Sequence, residues 1–201
     1  MSNRTSFAIV VSAPSGTGKT TLCREVARRI EGIRYSVSCT TREKRPDELD
    51  GKDYRFIDLD TFKRWVKEEK FVEWATYQGS HYGTLREEFV SSLNEGIDVI
   101  ADLEIEGARR IMQLYPDGVF VYILPPSTRE LKRRLEQRHS EPAQQIAERL
   151  LKAEDEMRHA KEYTYVVVNK EFDKTVEAII SIVRAERLKS ARLREPLGIA
   201  E

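Results

Sequence analysis

Phe7-Ala-Ile-Val-Val-Ser-Ala-Pro-Ser-Gly-Thr-Gly-Lys-Thr-Thr-Leu22 is the stretch that decides the fold. Residues 7–11 are apolar and largely β-branched, the pattern of a buried strand. Residues 12–18 are small and form a loop, and 19–30 carry a helical pattern with Leu22, Val26 and Ile30 at four-residue steps. Strand, glycine-bearing loop, Gly-Lys-Thr and helix make a phosphate-binding P-loop in its expected context. Backbone N–H groups of residues 16–20 and the positive end of the new helix both favour a phosphate there. Lys19 reaches the β and γ oxygens, and the Thr20 hydroxyl is placed to ligate Mg2+. The motif usually opens on glycine, and here that position is Ala13. Alanine does not freely take positive φ, so ordinary dihedrals are expected there. The motif says that a nucleotide binds, not which reaction follows.

At 201 residues the chain can build one sizeable core with insertions, whereas two independent domains would be cramped. Lys plus Arg and Asp plus Glu balance at 34 each, so no global field draws the chain to nucleic acid or membrane. Cys23 and Cys39 form neither a metal-ligand pattern nor a disulfide framework, which favours a reducing cytoplasm. The run 7–11 is too short for a signal segment, and no apolar stretch is long enough to span a bilayer. A cytoplasmic protein of undetermined oligomeric state is expected.

Strands near residues 7, 99, 120 and 166 alternate with helices, which predicts an α/β fold of three layers around a parallel sheet. Two segments break the alternation. Residues 36–85 are strand-rich and aromatic, with strands at 54–57 and 71–77 and a helix at 61–69 capped by Asp58 or Asp60. Residues 127–160 form a charged helical pair broken before Pro142. The single domain, 1–201, thus divides into a core (1–35, 86–126 and 161–201), an acceptor-binding subdomain (36–85) and a lid (127–160).

Several side chains suit phosphate chemistry. Ser38, Thr41, Arg42 and Arg45 place hydroxyls and two guanidinium forks in one turn-like segment, matched to bidentate phosphate contacts. Tyr54 and Tyr82 offer phenolic donors to the same anion, or serve as half-buried aromatics. Glu73 interrupts an apolar strand, and alternation leaves it facing either water or a pocket. In a pocket, its carboxylate would accept both adjacent donors of guanine, a pair that adenine lacks. Asp102 ends a buried strand, where P-loop enzymes keep an acid that helps hold Mg2+, directly or through water. Glu104 and Glu106 follow it. Arg138 and Arg149 flank the break at Pro142 and could neutralise charge during transfer. Most of Arg129, Lys132, Arg133 and Arg134 read as surface charge.

Ala-Pro-Ser-Gly-Thr-Gly-Lys-Thr, Ser-Val-Ser-Cys-Thr-Thr-Arg-Glu-Lys-Arg-Pro, Gly-Lys-Asp-Tyr-Arg-Phe, Phe-Val-Glu-Trp-Ala and His-Tyr-Gly-Thr together resemble guanylate kinase. The likeness continues through Ile-Leu-Pro-Pro-Ser and Val-Val-Val-Asn to Ile-Val-Arg-Ala-Glu-Arg. It implies Mg2+-dependent phosphorylation of GMP, with dGMP as a further acceptor, by ATP. By that resemblance Ser38, Arg42, Arg45, Tyr54 and Tyr82 bind the GMP phosphate, while Glu73, Thr84 and Glu104 read guanine, beside Gly83 and Asp102. Ala13, Pro14, Ser15, Gly16, Thr17, Gly18, Lys19, Thr20 and Thr21 hold ATP, and Asn169 lies near its adenine. Lys19, Arg42, Arg138 and Arg149 are the catalytic cations, and Thr20 and Asp102 serve the metal. The chain departs from the family in having Glu104 for the usual Asp, Gln137-Arg138-His139 for Gly-Arg-Gly, and Lys170 where an acid commonly follows Asn169. Two competing readings are a P-loop kinase for a ribose bisphosphate and a kinase-dead scaffold. Glu73 argues against the first; Lys19, Arg138 and Arg149 argue against the second.

Overall fold

Backbone order follows the apolar pattern along the chain. The structure, a computed structural model, describes residues 4–136 and 143–193, with side chains of 143–146 left out. The chain begins β1 (Ala8–Ser12), α1 (Lys19–Arg29) and β2 (Ile33–Tyr35). It continues through β3 (Cys39–Thr40), β4 (Arg55–Phe56), α2 (Leu59–Lys67), β5 (Phe71–Tyr77), β6 (Ser80–Leu85) and α3 (Arg86–Asn94). Then come β7 (Asp98–Asp102), α4 (Ile105–Leu114), β8 (Val119–Leu124), α5 (Thr128–Glu136), α6 (Ala143–Arg158), β9 (Tyr165–Val168) and α7 (Phe172–Arg187).

The central sheet is parallel, in the order β2-β7-β1-β8-β9. Alternate residues of β1 explain the three layers. Ile9 and Val11 face α1 and α7, packing with Leu22, Val26, Ile179 and Val183. Ala8 and Val10 face the other way, toward Phe89 of α3 and Ile111 of α4. Both faces are covered, so the strands read as continuous apolar runs. The second sheet, β4-β3-β6-β5, has its own apolar cluster around Cys39, Phe62 and Phe71. Leu131 and Leu135 of α5 pack with Ala153 of α6 in a further cluster.

Most elements lie where their sequence pattern puts them, with shifted ends. Asp58 caps α2, accepting from Thr61 N–H at 2.7 Å. Ser127 caps α5 through Glu130 N–H. The strand β2 has no counterpart in the sequence reading: three residues long and only partly buried, it carries no clear period. The strand β6 likewise emerges only because it pairs with both β3 and β5.

Asp98, at the start of β7, is fully buried between two arginines. Arg4 Nη2 and Arg187 Nε donate to Oδ2 at 2.7 and 2.9 Å, and Phe7 N–H donates to Oδ1. This one carboxylate ties the first strand and last helix to the sheet. Removing one partner of a buried charge cluster costs about 3–5 kcal/mol, so Asp98→Ala should lower unfolding free energy by that amount. Urea titration checks this; a loss under about 1 kcal/mol would assign the cluster a minor role.

Candidate active site

The loop between β1 and α1 is shaped by glycine. Gly16 and Gly18 take φ of 89° and 85°, the left-handed region that strains other residues. Ala13 is not among the residues with positive φ, as its side chain requires. Gly16 meets a second demand, since a Cβ there would stand 2.8 Å from Leu135 Cδ2 of α5. Thr17 closes the turn, its N–H and hydroxyl donating to Pro14 O at 3.3 and 2.6 Å. Every residue from 13 to 21 lines the main cleft.

Asn169 braces this loop from behind. It is 6% exposed, its Nδ2 donates to Thr17 O at 2.9 Å, and its Oδ1 accepts from Thr175 Oγ1 at 3.0 Å. Its side-chain amide is therefore engaged in support. Its carbonyl accepts from Arg134 Nη2 at 3.2 Å. Arg134 is the exception among the charges of α5: with Phe172 and Asn169 it lines a second cavity beside Gly16, Thr17, Gly18 and Thr21. The missed signal was tertiary, because α5 carries several arginines at equivalent-looking positions.

The end of β7 supplies the acids. Thr20 Oγ1 donates to Asp102 Oδ2 at 2.5 Å, and Tyr35, which the sequence did not single out, donates to Oδ1 at 2.6 Å. Lys19 Nζ donates to Leu103 O at 3.1 Å and to Glu104 Oε1 at 3.0 Å. Burial alone would lower the Lys19 pKa, but Glu104 and Asp102 outweigh it and hold the ammonium well above its usual range. Glu104 thus sits on the P-loop lysine while also bordering the pocket that holds Glu73.

Across the cleft, Arg42 is held by a carboxylate that the sequence did not single out. Its Nη1 and Nη2 donate to Glu48 at 3.0 and 2.7 Å, and it lies over the Tyr54 and Phe56 rings. Arg45 has 58% of its side chain exposed and reaches Glu48 at 3.8 Å. The Tyr54 and Tyr82 rings meet edge-on at 5.9 Å, and with Arg42 and Arg45 they border the cleft. Ser38 is buried beside Tyr54 and Glu73 in the adjoining pocket. The Thr41 hydroxyl instead accepts from His81 N–H within the small sheet. Gly83 lies under the Phe71 ring, where a Cβ would stand 2.8 Å from Cδ1, so its missing side chain serves packing.

Glu73 resolves its alternatives inward. It is 4% exposed, and Thr84 Oγ1 donates to its Oε1 at 2.6 Å. Burial pushes its carboxyl up to about 7, against the opposing Thr84 hydrogen bond. A carboxyl so perturbed in a pocket is a candidate functional group.

The P-loop also meets α6. Arg149 Nη2 donates to Ser15 Oγ at 2.5 Å, and Glu156 is buried nearby with a raised pKa, caused mainly by burial. Lys152 Nζ lies 3.7 Å from the centre of the Tyr77 ring, itself on the cleft wall. Arg138 lies outside the described residues, as do Gln137, His139 and Pro142. Among the described residues no three His, Cys, Asp or Glu gather to hold a metal by themselves, and no helix is long and apolar enough to cross a membrane.

Comparison with known proteins gives one consistent answer. The family model described as guanylate kinase matches residues 5–186. A guanylate kinase of Geobacter metallireducens is 44% identical over 186 residues, covering 92% of each chain. Another, of Thermotoga maritima, is 42% identical over 188 residues, covering 94% of this chain and 91% of its own. The crystal structure of guanylate kinase from Anaplasma phagocytophilum superposes with a TM-score of 0.80 at 31% identity, covering 94% of this chain and 90% of that one.

Both cysteines are buried, Cys23 in α1 and Cys39 in β3. Burial pushes the Cys39 thiol up to about 12 and raises Cys23 too, so neither is a thiolate near neutrality. Native protein at pH 8 should therefore react with a disulfide reagent such as DTNB only slowly, and release both thiols in denaturant. Rapid loss of one thiol from the native state would contradict the burial.

Proposed function

The chain belongs to the guanylate kinase family, and from that premise we propose how its cleft serves two nucleotides. The enzyme is an ATP:GMP phosphotransferase: the γ-phosphoryl group of ATP passes to GMP, giving ADP and GDP, with Mg2+ as cofactor. The observation that carries the assignment of sides is the buried Glu73 carboxyl, held by Thr84, in a pocket that also borders Lys19. Guanine presents a ring N–H and an amine side by side, which one carboxylate accepts together.

ATP takes the P-loop side, its phosphates against residues 13–21 and Lys19. The second cavity, with Arg134, Phe172 and Asn169, suits its base. GMP takes the side of residues 36–85, its phosphate among Ser38, Arg42, Arg45, Tyr54 and Tyr82, and its base at Glu73, Thr84 and Glu104. Arg42 keeps its fork aimed by Glu48, and residues 127–160 act as the lid. The GMP phosphate oxygen attacks in line, and being anionic already it needs no general base. Lys19, Arg42 and Arg149, with Arg138, stabilise the charge as it moves.

The donors fit Mg2+. It is ordinarily held by one or two carboxylates, waters and substrate phosphates, not by an all-protein cage. Thr20 and Asp102, directly or through water, would hold it, and when bound it would neutralise and orient phosphate oxygens. Tyr35 keeps Asp102 oriented through a hydrogen bond to the other carboxylate oxygen. Two buried free thiols support a cytoplasmic enzyme. The balanced charge supports small-molecule partners rather than nucleic acid.

A coupled ADP-release assay should show strong turnover with GMP and little with AMP, CMP or UMP. Equal use of several acceptors would overturn the guanine pocket. Charge-assisted hydrogen bonds contribute about 1.5–3 kcal/mol, so Arg42→Ala should lower kcat/KM for GMP by about 10–100-fold. Unchanged GMP kinetics would remove Arg42 from the site.

The Glu73 carboxyl also predicts a pH dependence. Only its ionised form accepts both guanine donors, so GMP affinity should rise with pH through about 7. Between pH 6 and 8 the gain should be about tenfold over that of Glu73→Gln, which retains the titration of GMP itself. Parallel profiles for the two proteins would refute it.

A further inference from the structure

Glu73 projects from β5, yet its position depends on α4. The β5–β6 register shifts between Phe71 and Glu73, a local irregularity of the kind that re-aims a side chain. Val72 then packs into the main core with Phe89 and Ala108, and Phe71 into the small one. Glu73 turns toward the first turn of α4. Its Oε1 is anchored by Thr84, while its Oε2 lies over Gly107. A Cβ at position 107 would stand 2.2 Å from Oε2 and 3.0 Å from Cδ, far inside any contact distance.

Glycine is among the poorest helix formers, and a helix of ten residues has reason to avoid it. Its backbone does not need it here, because Gly107 is not among the glycines with positive φ. Gly107 itself is buried, so exposure does not explain it either. The neighbour that requires the missing side chain is the Glu73 carboxyl. Near the start of a helix, free N–H groups also favour an anion, which makes this a suitable seat for a buried carboxylate.

We propose that Gly107 is a specificity-positioning residue: the absence of a side chain in the first turn of α4 seats the Glu73 carboxyl where it meets the guanine edge. The inference rests on Glu73 reading guanine, as given in the preceding subsection. A methyl group at 107 must push the carboxyl off its seat or force β5 and α4 apart. Since Oε1 is bonded to Thr84 and the carboxyl is buried, it has little room to move without losing that bond. Either displacement reaches the base pocket first, because the three atoms nearest the Cβ position of Gly107 all belong to Glu73.

The test compares Gly107→Ala, Glu73→Ala and the double variant, with GMP and with inosine monophosphate, which lacks the exocyclic amine. Gly107→Ala should raise KM for GMP at least tenfold and cut the preference for GMP over inosine monophosphate at least fivefold. KM for ATP should stay within twofold and the melting temperature within a few degrees. In the double variant, where the clash is gone, Gly107→Ala should add nothing to the effect of Glu73→Ala. If Glu73→Ala leaves GMP recognition intact, the guanine-reading role itself fails. If Glu73→Ala weakens it and Gly107→Ala does not, the positioning role alone is overturned. A fall in stability with equal loss of ATP and GMP binding would also overturn it, by making Gly107 a packing residue only.

Discussion

The parallel pairing of β1 with β7, which sets Val11 opposite Asp102, is the constraint on which the site depends. It carries the end of β7 alongside the start of the P-loop. Ser12 Oγ then donates to Leu103 O, Lys19 reaches the same carbonyl and Glu104, and Thr20 reaches Asp102. Five residues after Asp102, α4 presents Gly107 to Glu73. One register therefore brings together the phosphate loop, the acid beside it and the seat of the buried Glu73 carboxyl. A slip of one residue would reverse which side chains face each layer.

The phosphate loop is held from several sides before any nucleotide arrives. Leu135 packs against Gly16, Asn169 holds Thr17 and Arg149 reaches Ser15. Such support keeps backbone donors aimed and spares reorganisation during transfer. It also links the loop to α5 and α6.

Charge is balanced within the cleft. Lys19 is paired with Glu104, and Arg42 with Glu48. A buried cation without such a partner would be costly, and a carboxylate keeps each in its charged form. An incoming phosphate offers more acceptors than either carboxylate and can share or replace the pairing. Glu73 differs in kind: burial raises its carboxyl, while the Thr84 hydroxyl that donates to it opposes the rise and favours the ionised form.

The sequence by itself determined the β1–loop–α1 unit, because strand period, glycine spacing and the following lysine and threonine all act within some fifteen residues. It also determined the parallel α/β alternation and the family, since Arg42, Glu73, Tyr82 and Thr84 recur in recognisable local settings. Tertiary structure alone decided the inward orientation of Glu73, which strand alternation leaves open and the irregular β5–β6 register settles. It alone distinguished Arg134 from its neighbours on α5, paired Glu48 with Arg42 and put Tyr35 on Asp102. These roles depend on contacts between elements far apart in the chain. No local period records such proximity, and a short edge strand like β2 leaves even its existence to the neighbour that pairs with it.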